Sequence, residues 1–158
     1  MIGTVTFLWM ICLGISDVPV VRLADLEQRF AAGPDTVYVV NFWATWCKPC
    51  VAELPHFDKL SRSVKGQAVR VLLVSLDDPD ELTSKVEPFI RRKGYTADVV
   101  LLNEAKPHEW IDKVDSTWSG AIPATWLVHQ KSGRRQFHER EFDYNDLEAI
   151  VSTFVKGS

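Results

Sequence analysis

Residues 41–50 read NFWATWCKPC, and this stretch decides how the rest of the chain is interpreted. The segment that leads into it, residues 36–44, is rich in β-branched and aromatic residues, which is typical of a buried strand. Pro49 suits the first turn of a helix, where its missing N–H costs no hydrogen bond. Cys47 and Cys50 are therefore predicted to lie where a strand passes into the N-terminus of a helix.

This position suits a dithiol that cycles with a disulfide. A helix N-terminus carries partial positive charge and free N–H groups, which lower the pKa of a thiol beside it. Cys47 precedes the helix and is predicted to be the exposed nucleophile, while Cys50, one turn further in, is the resolving thiol. Cys47 would attack a partner disulfide, and Cys50 would then attack the Cys47 sulfur and release the reduced partner. Lys48 either favours the thiolate through its positive charge or is a solvated lysine with little effect.

A lone C-x-x-C pair is also compatible with a metal site or a permanent crosslink. Structural zinc sites usually need four ligands, but the chain has no second C-x-x-C pair and its four histidines are scattered. Copper binding by the two thiolates remains open. A disulfide across two intervening residues constrains the unfolded chain little, so it would stabilise the folded protein only slightly. The pattern therefore favours redox chemistry, with no metal and no cofactor other than the Cys47–Cys50 disulfide.

Composition narrows the class of protein. The 158 residues suffice for one domain with a substantial core, and 46% hydrophobic with 25% charged residues is ordinary for a soluble globular protein. The net charge of −3 provides no basic surface and argues against nucleic acid as a partner. Three cysteines are too few for a disulfide-stapled scaffold.

Residues 1–15 are apolar nearly throughout and carry no charged side chain. The run is shorter than the roughly 20 residues of a membrane helix but suits the apolar part of a signal peptide. A basic segment before it and an A-x-A-like cleavage site after it are both missing. We expect residues 1–17 to be a signal, a membrane anchor or an N-terminal extension, and residues 18–158 to form the functional domain. If the segment is removed, Cys12 is removed with it and has no role.

Strand and helix patterns alternate along the remaining chain. This alternation predicts an α/β fold with a parallel core, and a terminal hairpin adds antiparallel edges, which gives a central mixed sheet flanked by helices. The predicted strands are residues 18–23, 36–44, 68–76, 99–102, 122–129 and 134–140. The predicted helices are residues 24–32, 47–65, 81–93 (interrupted by Pro88), 106–113 and a final helix from Asp143 or Asn145 to about residue 155.

Glu53 follows Cys50 by three residues, so on a helix both side chains lie on the same side. A carboxylate there would accept or relay the Cys50 proton and would oppose thiolate formation, unless Glu53 is an ordinary surface glutamate. Because this effect is opposite to that of Lys48, the sequence leaves the direction of electron flow open.

Ile122-Pro123 is the second special point, at the start of a predicted strand. A trans proline there would mark an edge, whereas a cis peptide would present backbone groups beside the thiols and help to hold an extended partner chain. Trp43, Trp46 and Trp118 would wall the site, although at least one of them is equally suited to the core.

These motifs resemble the thioredoxin-fold superfamily over about residues 18–155. The resemblance rests on WCKPC with FWATW before it, and on IPATWLV at the position of the family's cis-proline loop. Within the superfamily, the segment FWATWCKPCVAELP is similar to the TlpA/ResA-like thiol–disulfide oxidoreductases of bacterial envelopes. Two further features resemble that branch: an insertion over residues 81–102, and Asn41 at the position where cytosolic thioredoxins have a buried aspartate. The A-P-x-F segment and N-terminal hairpin of that branch are not evident before Val37. Peroxiredoxins share the fold, but the C-x-x-C pair separates this chain from them.

The resemblance implies a thioredoxin-like three-layer sandwich with a central insertion, in which Cys47 and Cys50 are the redox pair, Pro123 is the cis-proline and Glu53 is an acidic modulator. The expected partners are protein thiols and disulfides and an upstream electron donor. The protein is expected to be a monomeric reductant of the bacterial periplasm or envelope, for example in cytochrome c maturation. A cytosolic thioredoxin and a copper-binding module of the same fold are the alternatives. Residues expected to contact the partner are Trp46, Lys48, Pro49, Ile122 and Pro123.

Overall fold

A computed structural model of the protein describes residues 18–157. The prediction of a signal, anchor or extension at residues 1–17, and the position of Cys12, lie outside this range. Within residues 18–157 no helix is both long enough and apolar enough to span a bilayer.

Six strands form a mixed sheet in the middle of the fold: β1 (Val20–Val21), β2 (Val37–Trp43), β3 (Val69–Ser75), β4 (Asp98–Leu102), β5 (Ala124–His129) and β6 (Arg134–His138). Their order across the sheet is β1-β4-β3-β2-β5-β6. The first four in this order run parallel, whereas β5 is antiparallel to both of its neighbours. All the residues of β2 are buried, as expected for a central strand covered on both faces.

Within residues 18–157, five α-helices cover the two faces of the sheet: α1 (Leu23–Ala32), α2 (Lys48–Ser63), α3 (Glu87–Lys93), α4 (Pro107–Val114) and α5 (Tyr144–Lys156). One core cluster joins α2, α3 and α5 to the sheet through Phe57, Phe89 and Phe154. The other joins α1 and α4 to the opposite face through Phe30 and Trp110. Because successive side chains of β2 enter alternate clusters, the fold has three layers, and the predicted α/β sandwich is confirmed.

The two largest differences from the sequence prediction are in the first strand and in the helix predicted over residues 81–93, and β5 also begins two residues later than predicted, after Ile122-Pro123. The strand predicted over residues 18–23 shortens to β1, because the Arg22 N–H donates to Asp25 Oδ2 at 2.8 Å and α1 already begins at Leu23. The helix predicted over residues 81–93 is divided into a 3₁₀ turn (Pro79–Glu81), a π-helical turn (Leu82–Val86) and α3. Pro88 lies in the first turn of α3, where its missing N–H is tolerated.

The sheet brings the cysteine pair and the Ile122-Pro123 peptide to one edge. β2 and β3 pair in parallel, with Trp43 opposite Ser75, so both strands end there. β5 pairs antiparallel with β2 and therefore begins at the same edge. Segments that are far apart in the chain consequently meet beside the N-terminus of α2.

Candidate active site

Cys47 and Cys50 form a disulfide at the N-terminus of α2, with 5.3 Å between their Cα atoms. Cys47 is the N-cap residue: its Sγ accepts a hydrogen bond from the Cys50 N–H at 3.3 Å, and its carbonyl accepts one from the Val51 N–H at 3.0 Å. The N–H groups at this helix end would also stabilise negative charge on Cys47 Sγ once the disulfide is reduced. The predicted strand-to-helix setting of the pair is confirmed.

Both cysteines are buried, so Cys47 is more covered than the sequence predicts. Cys50 is fully buried, and Cys47 is only 6% exposed. The prediction of an exposed Cys47 is wrong, because the Ile122 carbonyl oxygen lies 3.8 Å from Cys47 Sγ and covers it. A partner disulfide must therefore reach Cys47 past Ile122.

The loop that carries Ile122 is held in place by a hydrogen bond from the side chain of Trp118. Its Ile122-Pro123 peptide bond is cis, as the family resemblance implies. The indole N–H of Trp118 donates to the Ala121 carbonyl at 2.8 Å, directly before this peptide. The backbone that faces the disulfide is thus tied to a buried aromatic side chain.

The three candidate tryptophans have different places in the structure. Trp46 is 65% exposed and lies at the surface next to the disulfide. Trp43 and Trp118 are buried in the two opposite core clusters. Only Trp46 among the three can therefore offer its ring to a partner, and the residues exposed beside it are Lys48 and Pro49.

Glu53 is buried despite its charge, with only 2% of its surface exposed. Its Oε1 accepts a hydrogen bond from Asn41 Nδ2 at 2.7 Å, and its Oε2 accepts one from the Phe142 N–H at 2.9 Å. Asn41 comes from β2 and Phe142 from the loop before α5, so three separate parts of the fold meet at this carboxyl. The alternative of an ordinary surface glutamate is therefore excluded.

Burial raises the pKa of Glu53 from its ordinary value of 4.5 to about 7. The hydrogen bonds from Phe142 and Asn41 lower the pKa, because they favour the ionised form, but burial outweighs them. Near neutral pH the carboxyl is therefore present in both protonation states. This is the condition for a group that takes up and releases a proton.

Asn41 connects Glu53 to the sheet and is itself fully buried. Its Nδ2 also lies 3.4 Å from Thr125 Oγ1, while its Oδ1 has no hydrogen-bond partner among residues 18–157. Rotating the amide by half a turn would aim this oxygen at Glu53, where it would accept a hydrogen bond from the protonated carboxyl. Asn41 can therefore form a hydrogen bond with Glu53 whether the Glu53 carboxyl is ionised or protonated. An aspartate at this position would instead place a second negative charge beside Glu53.

A second buried carboxylate, Asp77, holds the backbone just before the cysteines. It is 2% exposed and accepts hydrogen bonds from the Thr45 N–H at 3.0 Å, from the Thr45 hydroxyl and from the Ser75 hydroxyl at 2.7 Å. The sequence patterns described above did not identify Asp77 as part of the site. Its position soon after a core strand, at the edge where the cysteines lie, is the signal that would have found it.

Asp77→Ala is expected to lower the free energy of unfolding by about 2 kcal/mol, because the Thr45 N–H and the Ser75 hydroxyl lose a charged acceptor. Urea unfolding of the oxidised protein measures this change. Asp112→Ala, at an exposed position of α4, is the control and is expected to change the free energy of unfolding by less than about 0.5 kcal/mol. Equal effects of the two substitutions would contradict the role of Asp77.

The possibility of a metal site can be compared with the positions of the candidate ligand side chains. Within residues 18–157 no group of three or more His, Cys, Asp or Glu side chains is placed to hold an ion. Cys47 and Cys50 are bonded to each other, so neither sulfur is a free thiolate in this state. The copper alternative therefore applies only to the reduced dithiol.

Residues 17–133 match the AhpC/TSA family. The chain belongs to this family. It is 31% identical over 137 residues to the thiol-disulfide oxidoreductase ResA of Geobacillus kaustophilus, a match that covers 84% of this chain and 73% of that relative. It is 32% identical over 123 residues to ResA of Geobacillus thermodenitrificans, with 75% of this chain and 64% of that relative covered.

Solved structures share the fold. A thioredoxin-related protein from Neisseria meningitidis serogroup B superposes with a TM-score of 0.67 at 25% identity, covering 78% of this chain and 87% of the other. StoA from Bacillus subtilis has a TM-score of 0.60, with 77% of this chain and 86% of the other covered, and its 23% identity shows the fold alone. The predicted thioredoxin-like fold and the resemblance to the TlpA/ResA-like branch are confirmed.

The family, the ResA relatives and the Cys47–Cys50 pair together identify a thiol–disulfide oxidoreductase. Such a protein acts on protein thiols and disulfides through the disulfide of its own C-x-x-C motif. The relatives carry the oxidoreductase name, in agreement with the separation from peroxiredoxins that the motif indicated. The activity predicted from the sequence is confirmed.

Proposed function

We propose that the protein reduces disulfides of exported polypeptides, with Cys47 as nucleophile, Cys50 as resolving thiol and Glu53 as the group that takes up the Cys50 proton. The observation that carries this proposal is the buried Glu53 carboxyl, whose pKa is about 7, three residues beyond Cys50 on α2. A buried thiol needs a nearby base before it can attack, and a carboxyl one helical turn away with a pKa of about 7 supports this role.

The cycle begins with both cysteines reduced. The Cys47 thiolate attacks one sulfur of the partner disulfide, a bond forms between these two sulfurs, and the other partner sulfur leaves as a thiolate that is then protonated. Cys50 next gives its proton to Glu53 and attacks Cys47 Sγ. The Cys47–Cys50 bond forms and the bond between Cys47 and the partner breaks. The second partner sulfur leaves as a thiolate that is then protonated, and the two electrons of the dithiol have passed to the partner.

The partner chain is proposed to lie across Ile122 and Trp46. The Ile122 carbonyl, close to the outer sulfur, offers a backbone acceptor to an extended chain. Trp46 offers an exposed aromatic surface, and Lys48 and Pro49 form the rim beside it. Pro123 is buried, so its contribution is to carry Ile122 rather than to touch the partner itself.

The charges around the cysteines favour electron transfer from the reduced dithiol to a partner disulfide. Lys48 is exposed, so solvent screens its charge and it stabilises the Cys47 thiolate little. Glu53 is buried, and its negative charge acts in low-dielectric surroundings against a second anion on the thiols. Because the thiolates are disfavoured, the disulfide becomes the preferred form and the pair gives up electrons more readily than it takes them.

The bacterial envelope is the proposed location. Support comes from the apolar, uncharged run at residues 1–15 and from the resemblance to envelope proteins of the TlpA/ResA branch. We also propose that the protein works as a monomer and that an upstream electron donor in the same compartment reduces it again, since each cycle leaves Cys47 and Cys50 oxidised.

Equilibration with mixtures of reduced and oxidised glutathione tests the direction of electron flow. We expect a reduction potential nearer to that of thioredoxin, about −270 mV, than to that of DsbA, about −120 mV. Lys48→Ala is expected to leave the potential almost unchanged, whereas Glu53→Gln is expected to raise it by about 10 to 30 mV, the upper figure being a tenfold change in equilibrium constant. A wild-type potential near the DsbA value would rule out the reductant role.

A further inference from the structure

A cavity of about 210 Å³ leads to Glu53 between α2 and the loop before α5. At roughly 30 Å³ for each molecule of liquid water, it has room for several waters. Most of its lining residues carry polar side chains, and the lining consists of Ala52, Glu53, His56, Glu141, Phe142 and Asp143. The cavity therefore has room and polar groups for water to approach a carboxyl that is otherwise enclosed.

The core closes the other approaches to Glu53. Cys50, Leu54 and Phe57 on the same helix are fully buried, and Asn41 occupies Oε1 from the sheet side. In the cycle proposed above, Glu53 receives a proton from Cys50 at each turnover. Exchange of that proton with solvent returns Glu53 to its ionised form, and the cavity is the route that the packing leaves open for it.

His56 is the residue of the cavity best suited to carry this proton. It follows Glu53 by three residues on α2, so it lies about one turn further along the same side of the helix. It is half-buried and lines the same cavity as Glu53, so part of its side chain is open to solvent. An imidazole can accept a proton on one nitrogen while it donates one from the other, which is the property that a proton relay requires.

The other charged groups around Glu53 are less suited to a relay. Asp143 is engaged as the N-cap of α5, and Glu141 is an exposed carboxylate whose charge raises the pKa of Glu53. Arg140 lowers the pKa of Glu53 but stays protonated and cannot exchange a proton at neutral pH. On β6, burial lowers the pKa of His138, and its Nε2 is enclosed without a hydrogen-bond partner among residues 18–157.

We propose that His56 relays protons between Glu53 and solvent through this cavity. The relay rests on the proposed role of Glu53 as acceptor of the Cys50 proton. Protonated Glu53 passes its proton, across water in the cavity, to the His56 imidazole, and the resulting imidazolium releases it to solvent. No electron moves in this step. The reverse sequence returns a proton when the disulfide is reduced again.

His56→Ala tests the relay in multiple-turnover reduction of a protein disulfide, with a saturating chemical dithiol as electron source and dilute buffer. We expect the rate at pH 7 to fall by about tenfold, and added free imidazole to restore most of it, because a small base can enter the cavity. His108→Ala removes a side chain that is 78% exposed on α4 and is the matched control. It is expected to keep the wild-type rate with and without imidazole.

Two results would overturn the relay: a wild-type rate for His56→Ala, or a slow rate that imidazole does not restore. The test also separates the relay from the role of Glu53. If Glu53 is not the proton acceptor, Glu53→Gln turns over like the wild type. If only the relay is wrong, Glu53→Gln is slow while His56→Ala is not. If both proposals hold, adding His56→Ala to Glu53→Gln slows the protein no further.

Discussion

Cys47→Ser is expected to abolish the reduction of protein disulfides, with a loss of turnover of at least about a thousandfold. A serine hydroxyl cannot form a disulfide, so neither the mixed disulfide nor the internal disulfide can arise. The helix is expected to persist, because Cys47 is the N-cap of α2 and serine is a favoured N-cap residue whose oxygen accepts the same N–H. Insulin reduction followed by turbidity measures the loss, and circular dichroism checks the fold.

Cys50→Ser is the matched control, because it also removes the disulfide but keeps the attacking thiol. This variant is expected to form a mixed disulfide with the partner through Cys47 and to stop there, which intact-mass measurement detects. If Cys47→Ser were the variant that trapped the partner, the roles assigned to the two cysteines would be reversed. If Cys47→Ser kept turning over, the assignment of the nucleophile would be wrong.

Glu53→Gln is expected to have the second-largest effect, slowing turnover near pH 7 by about ten- to a hundredfold. The glutamine can be accommodated without a lost hydrogen bond: its oxygen accepts from the Phe142 N–H, and its amide donates to Asn41 Oδ1 after that side chain rotates. The change therefore removes the proton acceptor rather than the packing. The pH–rate profile of the wild type should contain a step near pH 7 that the variant lacks.

Glu53 also predicts a pH dependence of stability. Its pKa is about 7 in the folded protein and near 4.5 when unfolded, so the folded protein binds the proton more tightly. The resulting stabilisation is fully present below pH 4.5 and is lost as the pH rises through about 7. The free energy of unfolding of Glu53→Gln, relative to the wild type, should therefore increase by roughly 3 kcal/mol between about pH 4 and pH 8.

Urea unfolding at a series of pH values measures this difference. Gln28→Ala, at an exposed position of α1, removes no titratable group and is the control, so its difference should stay flat across the same range. A flat difference for Glu53→Gln as well would mean that the carboxyl is not held in the buried, proton-binding environment described above.

Much of the fold and the centre of the site could be predicted because they depend on residues that are close in the chain. The strand leading into residues 41–50, the C-x-x-C spacing and the Pro49 helix start are local patterns, and the structure confirms the setting they predict. The alternation of strands and helices is likewise local, and it was sufficient for the three-layer α/β fold. Helical spacing also placed Glu53 on the side of Cys50.

The environment of those residues was decided by contacts between distant segments. Glu53 bonds to the Phe142 N–H across 89 positions, and Ile122 reaches Cys47 across 75. The first contact makes a surface-like glutamate into a buried group that titrates near neutral pH, and the second covers a cysteine that was predicted to be exposed. The sequence by itself determined which chemical groups are present and which are neighbours along an element. Their burial, partners and proton affinity were settled only when the tertiary structure removed water from around them, because desolvation depends on the whole surrounding shell.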